Sequence, residues 1–474
     1  MSETIGEMIL PGTYIEVRAE GLIGVGGIAT GNVGVVGTAN RGPVGEVQVL
    51  GSYSDALEMF GSYDRWPDGS ATPTTPPLTL TRTLEQLFQG GASTVYAVRV
   101  ANLGTASMAT MSWTVESATN TALFTLTANS PGTWANAIVA TVTTSSSGPP
   151  ILTLVLGKTK ETFSGATAAE MAQAVTDGSR FVTASGLANG STVPASVVPS
   201  TTAGGPDGSP ATSTEVQAGL DLLANQPVNL VVVGGLSVND TGVAGTVLGH
   251  LDHTENDGRE RIAVLGASSD TPSTILSEVV SNPRLVLVAP GIVATDAARA
   301  GEANPAVKLP AAYAAALVAG RLATLAPHVS LTNKDVPAGD LTTDYSRAQQ
   351  KQLLGGQVLV LQKNLGIRVL KGITTDTEAF RQISVRRIVD YAKAGVRIGA
   401  NPYIGRLNNV RVRAALKATL DGFLSGMVLD EMLTGYQLDV TATRPQEING
   451  QAIVTMVLQP TFSIDFVKVI MNLQ

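Results

Sequence analysis

No cysteine occurs in the 474 residues of this chain. That absence excludes disulfides, thiolate nucleophiles and cysteine-ligated metals together, so the fold must hold by packing alone. Histidine is nearly as scarce, with three in the whole chain. No serine sits in a G-x-S-x-G turn, and nucleophilic catalysis therefore has little material. Charged residues are few, at 15%. Long apolar runs are missing too: the most apolar helical stretch, Ala311–Ala319, falls far short of the about 20 residues that cross a bilayer. Met1–Leu10 holds two acids and no Lys or Arg. It lacks the basic start and apolar core of a signal peptide, and synthesis and folding in a cytosol are expected.

What the chain does carry is glycine, 50 residues of it, with abundant Thr, Ser and Ala and a hydrophobic content of 44%. This composition favours many strands and turns over a helical bundle, so a mixed α and β protein is expected. The length calls for two to four domains of roughly 100 to 200 residues. Charge is distributed unevenly. From Arg347 to Lys417 there are 14 Lys and Arg against three acids, Asp376, Glu378 and Asp390. The local balance is +11 in a chain whose total is −7, which leaves −18 on the remainder. Two surfaces facing two environments are implied, and the basic one needs an acidic partner unless it is an ordinary solvated face. Nucleic acid fits poorly, because the total charge is negative, aromatic interleaving is limited to Phe380, Tyr391 and Tyr403, and no nucleic-acid motif appears. A protein with an acidic surface fits better, since it needs only a complementary patch.

Along the chain, Pro11-Gly12 is a turn signal. The alternation in Thr13-Tyr14-Ile15-Glu16-Val17-Arg18 after it predicts a short strand that stands apart from any core. Val33–Gly37 reads as a buried strand, Tyr53–Phe60 and Leu80–Phe88 as helices, and Thr94–Val100 as a strand. From Asn102 to Pro206 the composition shifts to Ser, Thr, Ala and Gly with few charges, the pattern of an inserted β-rich domain with one helix near Ala166–Val175. Apolar runs then recur at Val228–Val233, Arg261–Leu265 and Arg284–Val288 with helical stretches between them, which predicts a parallel or mixed sheet covered on both faces. Val358–Gln362 and Arg368–Lys371 read as paired strands. Val385, Ile388, Val389 and Ala392 form one apolar helix face. A second helix carries the stripe Leu416, Leu420, Phe423 and Met427, with Asn408 or Asn409 as its cap. Arg411, Arg413 and Lys417 crowd its first turns, where cations oppose the helix dipole and so are not placed for helix stability. Two strands, Ala452–Leu458 and Phe462–Ile470, close the chain.

Three short motifs could carry chemistry. Gly24-Val25-Gly26-Gly27-Ile28-Ala29 has the G-x-G-x-x-[GA] spacing of dinucleotide-binding turns, but the following Gly and β-branched residues do not open the helix that such a turn needs. Gly157-Lys158-Thr159 imitates the end of a phosphate loop, with Leu152 where the leading glycine belongs. His250 and His253 have helical H-x-x-H spacing beside Asp252, Glu255 and Asp257. With no cysteine and no clear third ligand they read as a surface cluster at a helix end rather than a metal site.

The two ends of the chain together carry a family likeness. Pro11-Gly12-Thr13-Tyr14-Ile15-Glu16-Val17 is similar to a Pro-Gly-x-Tyr-x-Glu opening arm, and Ile383-Ser384-Val385-Arg386-Arg387-Ile388-Val389-Asp390-Tyr391 to an x-Val-Arg-Arg-hydrophobic helix. Asn408–Leu424, Gly435-Tyr436-Gln437-Leu438-Asp439-Val440 and Phe462–Ile470 match a following helix, loop and strands. In these segments the chain resembles the contractile tail sheath proteins of myophages, R-type bacteriocins and contractile injection systems. It departs at Gly372–Phe380, where Gly372-Ile373-Thr374-Thr375-Asp376 replaces a Gly-x-Arg-Thr-like strand.

The resemblance implies a multidomain α/β chain: an exchange arm at 1–22, a central α/β domain at 23–101 and 207–343, a β-rich outer domain at 102–206, and an inner assembly domain at 344–474. It further implies strand exchange between subunits through Thr13, Tyr14, Ile15, Glu16, Val17 and Arg18 at one end and Phe462, Ile464, Phe466, Val467 and Val469 at the other. Arg411, Arg413 and Lys417, with Arg386 and Arg387 as second choice, would face an acidic inner tube. Expected partners are further copies of the chain, the tube, and baseplate and tail terminator proteins, with no cofactor, no metal, no direct nucleic-acid contact and no membrane insertion. The subunit would assemble in the host bacterial cytoplasm into a virion tail or tail-like particle. The alternatives are a nucleotide-dependent α/β enzyme using Gly24–Ala29 and a basic-domain nucleic-acid-binding protein.

Overall fold

The structure is a computed structural model that describes residues 27–67, 77–102, 110–145, 148–200 and 207–472. The expected arm strand Thr13–Arg18 lies outside the described residues. At the centre is an eight-stranded sheet in the order Ile367–Val369, Leu359–Lys363, Leu285–Ala289, Ile262–Gly266, Leu230–Val233, Val33–Gly37, Val95–Arg99, Val47–Leu50. The six inner strands are parallel and the two edge strands antiparallel. Because side chains alternate across a sheet, Val35, Val232, Val264 and Val288 fill one core while Val36, Val231, Leu265 and Leu287 fill the other. The expected sheet covered on both faces is thus present, built from the apolar runs that predicted it.

The first core is roofed by helices Leu80–Gly90 and Ala311–Ala323. The second helix is apolar all round because it is buried all round. The two helices touch where neither Gly90 nor Gly320 has room for a Cβ against the other's backbone. The second core is covered by Ser213–Leu223 and Val243–Asn256. The insertion forms two antiparallel sheets and the helix Ala168–Gly178 around its own core of Trp113, Phe124, Leu126, Met171 and Val175. Gly157-Lys158-Thr159 begins as a hairpin turn there, with Gly157 at φ +58°, between strands Gly148–Leu156 and Thr159–Ser164.

Strand pairing places two further segments of the C-terminal part. Leu359–Lys363 and Ile367–Val369 pair with each other as expected, but Val288 also registers with Leu359. These strands therefore extend the central sheet at one edge. Phe462–Ile470, expected as a strand exchanged with another copy, forms no ladder within the single chain. A strand needs a hydrogen-bonding neighbour, and the described residues of this one chain supply none.

Candidate assembly surfaces

The C-terminal unit consists of helices Ile383–Ala400 and Val410–Leu429 and the hairpin Leu433–Thr441/Ile453–Pro460. Ile388, Ala392, Leu424 and Met427 form its small core, and Leu416 and Leu420 pack with Val440. Gly395 lies directly beneath the Phe423 ring and leaves no space there for a Cβ. Phe423 stacks on Tyr391 with ring centroids 5.9 Å apart, so it seals the helix pair instead of joining the fully buried stripe.

Most of the basic helix Ile383–Ala400 is consumed in docking onto the central domain. Arg284, from the head of a central strand and 2% exposed, donates to Glu255 at 2.6 and 2.7 Å and to Asp390 at 2.8 and 3.0 Å. Lys393 reaches Glu255 at 2.7 Å and Arg397 reaches Glu260 at 2.8 Å. The hydrogen bonds from Arg284 hold the Glu255 carboxyl down at about 2, and burial lowers Arg387 to about 10. Arg386 bonds Asp390 at 2.6 Å and lies 4.1 Å over the Phe380 ring. Arg387 donates to the carbonyls of Thr30 and Leu325 at 3.0 and 2.8 Å. Both arginines are buried. Within the single chain their side chains lie in the joint with the central sheet. The joint also receives the divergent loop: the Thr375 amide donates to the Leu285 carbonyl and its hydroxyl to the Asn282 carbonyl.

The second helix starts at Asn409, whose side chain accepts from the Val412 amide at 2.9 Å. Of the three cations in its first turns, Arg413 is bound to Glu447 at 2.9 Å and to Asn408 at 2.8 Å, and Lys417 sits 3.3 Å from Asp439. Arg411 is exposed and has no acidic partner among the described residues. In the chain just before it come Arg406, which rests over Tyr403, and the exposed Ile404, Leu407 and Val410. The helix–helix connection is thus an exposed tip of the helix pair that is both apolar and basic.

The hairpin packs Tyr436, Leu438, Met456 and Leu458 inward. Among the described residues it has only its two strands, so both outer edges are unpaired. Beyond it the Thr461 amide donates to the Met432 carbonyl, the last backbone-to-backbone hydrogen bond among the described residues. Phe462, Ile464 and Phe466 then stand 64%, 83% and 84% exposed, and Val467, Val469, Ile470 and Met471 are also in solvent.

The enzymatic and metal candidates are not assembled. Gly27-Ile28-Ala29 runs directly into strand Val33–Gly37. It borders a cavity of about 490 Å³ at the amino ends of the sheet strands, near Leu230 and Ile262. Nucleotides bind beyond the carboxyl ends, at a helix N-terminus. Gly24 and Gly26 lie outside the described residues. His250 is buried with Nε2 2.8 Å from Arg261, and burial lowers it to about 4. His253 is exposed beside Asp257 at 3.5 Å. The expected surface pair is therefore split between core and solvent, and among the described residues no three His, Asp or Glu are grouped to hold a metal.

Residues 210–375 match the sequence model of the phage tail sheath protein central domain, and residues 375–474 that of the phage tail sheath C-terminal domain, together more than half of the chain. The chain belongs to the phage tail sheath family. Among solved structures, this sheath chain is similar to a sheath tail protein from Listeria innocua at TM-score 0.68 and 14% identity, over 92% of this chain and 93% of that one. A sheath tail protein from Desulfitobacterium hafniense follows at 0.64 and 17%, over 95% and 100%. The helical sheath of the anti-feeding prophage in its contracted state matches at 0.57 and 14%, over 98% and 99%. No curated protein matches the sequence. The chain is a structural subunit of a contractile sheath, as the terminal motifs implied.

Proposed function

We propose that this sheath subunit polymerises into a helical cylinder around an inner tube by exchanging terminal strands between copies, and that repacking of the cylinder drives the tube through a target envelope. The observation that carries this reading is the coincidence of an unpaired apolar arm, Phe462–Met471, with a hairpin open on both edges. An exposed apolar strand and free sheet edges are liabilities in a monomer. They become complementary surfaces when one copy adds its strand to the next by main-chain hydrogen bonds. The arm Thr13–Arg18 is assigned the same role at the other end. Such head-to-tail contacts are heterologous, so they propagate into open helical assemblies rather than closing as dimers. Strand links that persist while bodies rotate allow two packings of one lattice. The work comes from new contacts between copies, without an enzymatic step, a cofactor or a metal.

The acidic tube exterior is assigned to the tip at 404–411. Arg411 is its leading cation because Arg413 and Lys417 already have acids within their own chain. Baseplate and tail terminator proteins are the assigned partners at the cylinder's ends. Assembly is placed in the host bacterial cytoplasm, without direct nucleic-acid contact or membrane insertion. Replacing Phe462, Ile464 and Phe466 together by Ser tests the reading: the monomer is expected to melt as before and to form no striated tubes in electron micrographs. Tubes of normal length from this variant would refute it.

A further inference from the structure

One carboxylate holds the root of the C-terminal arm. From 462 to 466 the chain alternates, with Phe462, Ile464 and Phe466 outward and Ser463 and Asp465 toward the body. Asp465 accepts from Lys371 Nζ at 3.1 Å, from Gln382 Nε2 at 3.2 Å, from Thr332 Oγ1 at 3.3 Å and from Ser463 Oγ at 3.4 Å. The Asp465 and Lys371 side chains are only 10% and 14% exposed. Gln382, the residue before helix Ile383–Ala400, also accepts from the Ser463 amide at 3.4 Å. Thr332 is fixed in turn, accepting from the Gly372 amide at 3.0 Å. Lys371 Nζ lies 5.1 Å from the centre of the Phe466 ring. Three separate elements of the body thus converge on one side chain of an arm that, among the described residues, makes no backbone-to-backbone hydrogen bond beyond Thr461.

This inverts the usual arrangement of an extended segment on a protein surface, where the apolar side faces in. The cluster lies beside Lys371 and the helix start, not on the hairpin. The chain leaving Thr461 meets this cluster within two residues, first at Ser463 and again at Asp465, while Phe462 and Ile464 between them stay exposed. These contacts are all to Lys371, Gln382 and Thr332, and none is to its own Ile453–Pro460 strand. Charge-assisted hydrogen bonds to a shielded carboxylate are the strong ones, and they lose little to solvent.

We infer that Asp465, through Lys371, Gln382 and Thr332, is a positioning residue that sets the take-off direction of the C-terminal arm. It withholds the arm from its own hairpin and presents Phe462, Ile464 and Phe466 to another copy. The inference rests on the strand-exchange reading and deepens it. The pre-set direction removes part of the ordering cost of exchange, and so raises the propensity to polymerise.

The test is the critical concentration for tube formation of the full-length protein, measured by sedimentation and electron microscopy. Asp465→Asn keeps the size of the side chain and removes its charge. It is expected to raise the critical concentration at least tenfold and to speed chymotrypsin cleavage at Phe462 and Phe466 in the monomer, with helix content unchanged. The double exchange Lys371→Asp with Asp465→Lys is expected to restore both. Assembly of Asp465→Asn at the wild-type concentration would overturn this inference and leave strand exchange standing. Failure of the unmodified chain to form tubes at any concentration would overturn exchange and this inference with it. A folded Asp465→Asn monomer cleaved at the wild-type rate would overturn the anchor directly.

Discussion

Arg284→Met removes the centre of the joint between the central sheet and the C-terminal helix. The guanidinium makes four hydrogen bonds to Glu255 and Asp390 from a site 2% exposed. Breaking a buried ion pair by deleting one partner costs about 3–5 kcal/mol, because the other charge is left without compensation. Here each carboxylate keeps a second cation, Lys393 at 2.7 Å on Glu255 and Arg386 at 2.6 Å on Asp390. The low end of that range, about 3 kcal/mol, is therefore expected, roughly a hundredfold in the docking equilibrium. Since the protein has several units, the readout is the first transition in urea together with hydrogen exchange of 383–400, not a single global unfolding energy. Protection in that helix is expected to fall while protection of strand Leu230–Val233 holds. A double-mutant cycle with Asp390→Asn isolates the pair and is expected to show coupling of about 1–3 kcal/mol. A shift below about 1 kcal/mol, with the helix as protected as before, would refute the assignment of this network as the joint.

Acid acts on the same site. Glu255 is depressed from 4.5 to about 2 in the folded state, so its contribution is full above about pH 4.5 and is lost as pH falls toward 2. Discounted for a side chain that is 33% exposed, that contribution is about 1–2 kcal/mol. Thermal melts of Glu255→Gln are expected to lose part of the wild-type pH dependence in that window, and an unchanged slope would contradict the shift. At the tip, Arg411→Glu is expected to weaken decoration of tubes with no change in monomer melting, each such contact being worth near 0–1 kcal/mol. Arg413→Glu is expected instead to lower the monomer's melting temperature, because it places like charge against Glu447; the opposite ranking of the two variants would count against the tip.

Much of the central fold was legible because its strands carry local signatures. Val33–Gly37 and the β-branched runs near 230, 262 and 285 are buried on both faces, and a continuous apolar run is what such a strand requires. The docked helix was visible in the spacing of Val385, Ile388 and Ala392. Pairing between distant residues was not. The +11 of residues 347–417 is a sum over positions, and it says nothing of Glu255 and Glu260, which lie more than 130 residues from Lys393 and Arg397 and neutralise them. Arg387 read as a surface cation for that reason, since its partners are the backbone carbonyls of Thr30 and Leu325, whereas the Arg386–Asp390 pair is a local i,i+4 contact on one helix. Val358–Gln362 was recognised as a strand, but its parallel neighbour at 285–289 is not encoded locally. Asp465 gave no signal at all: an acid within an apolar strand reads as its solvent side, and only the convergence of Lys371, Gln382 and Thr332 reveals its anchor.

The most direct measurement is a cryo-electron-microscopy reconstruction of the assembled cylinder in which the main chain is traced from Thr461 to Met471. Residues 462–471 are expected to leave one copy at the Asp465 anchor and to lie as a hydrogen-bonded strand along the hairpin edge of a neighbouring copy. A trace that returns the segment to the edge of its own Ile453–Pro460 strand, or leaves it uncovered in solvent, would contradict strand exchange as the link that holds the sheath together.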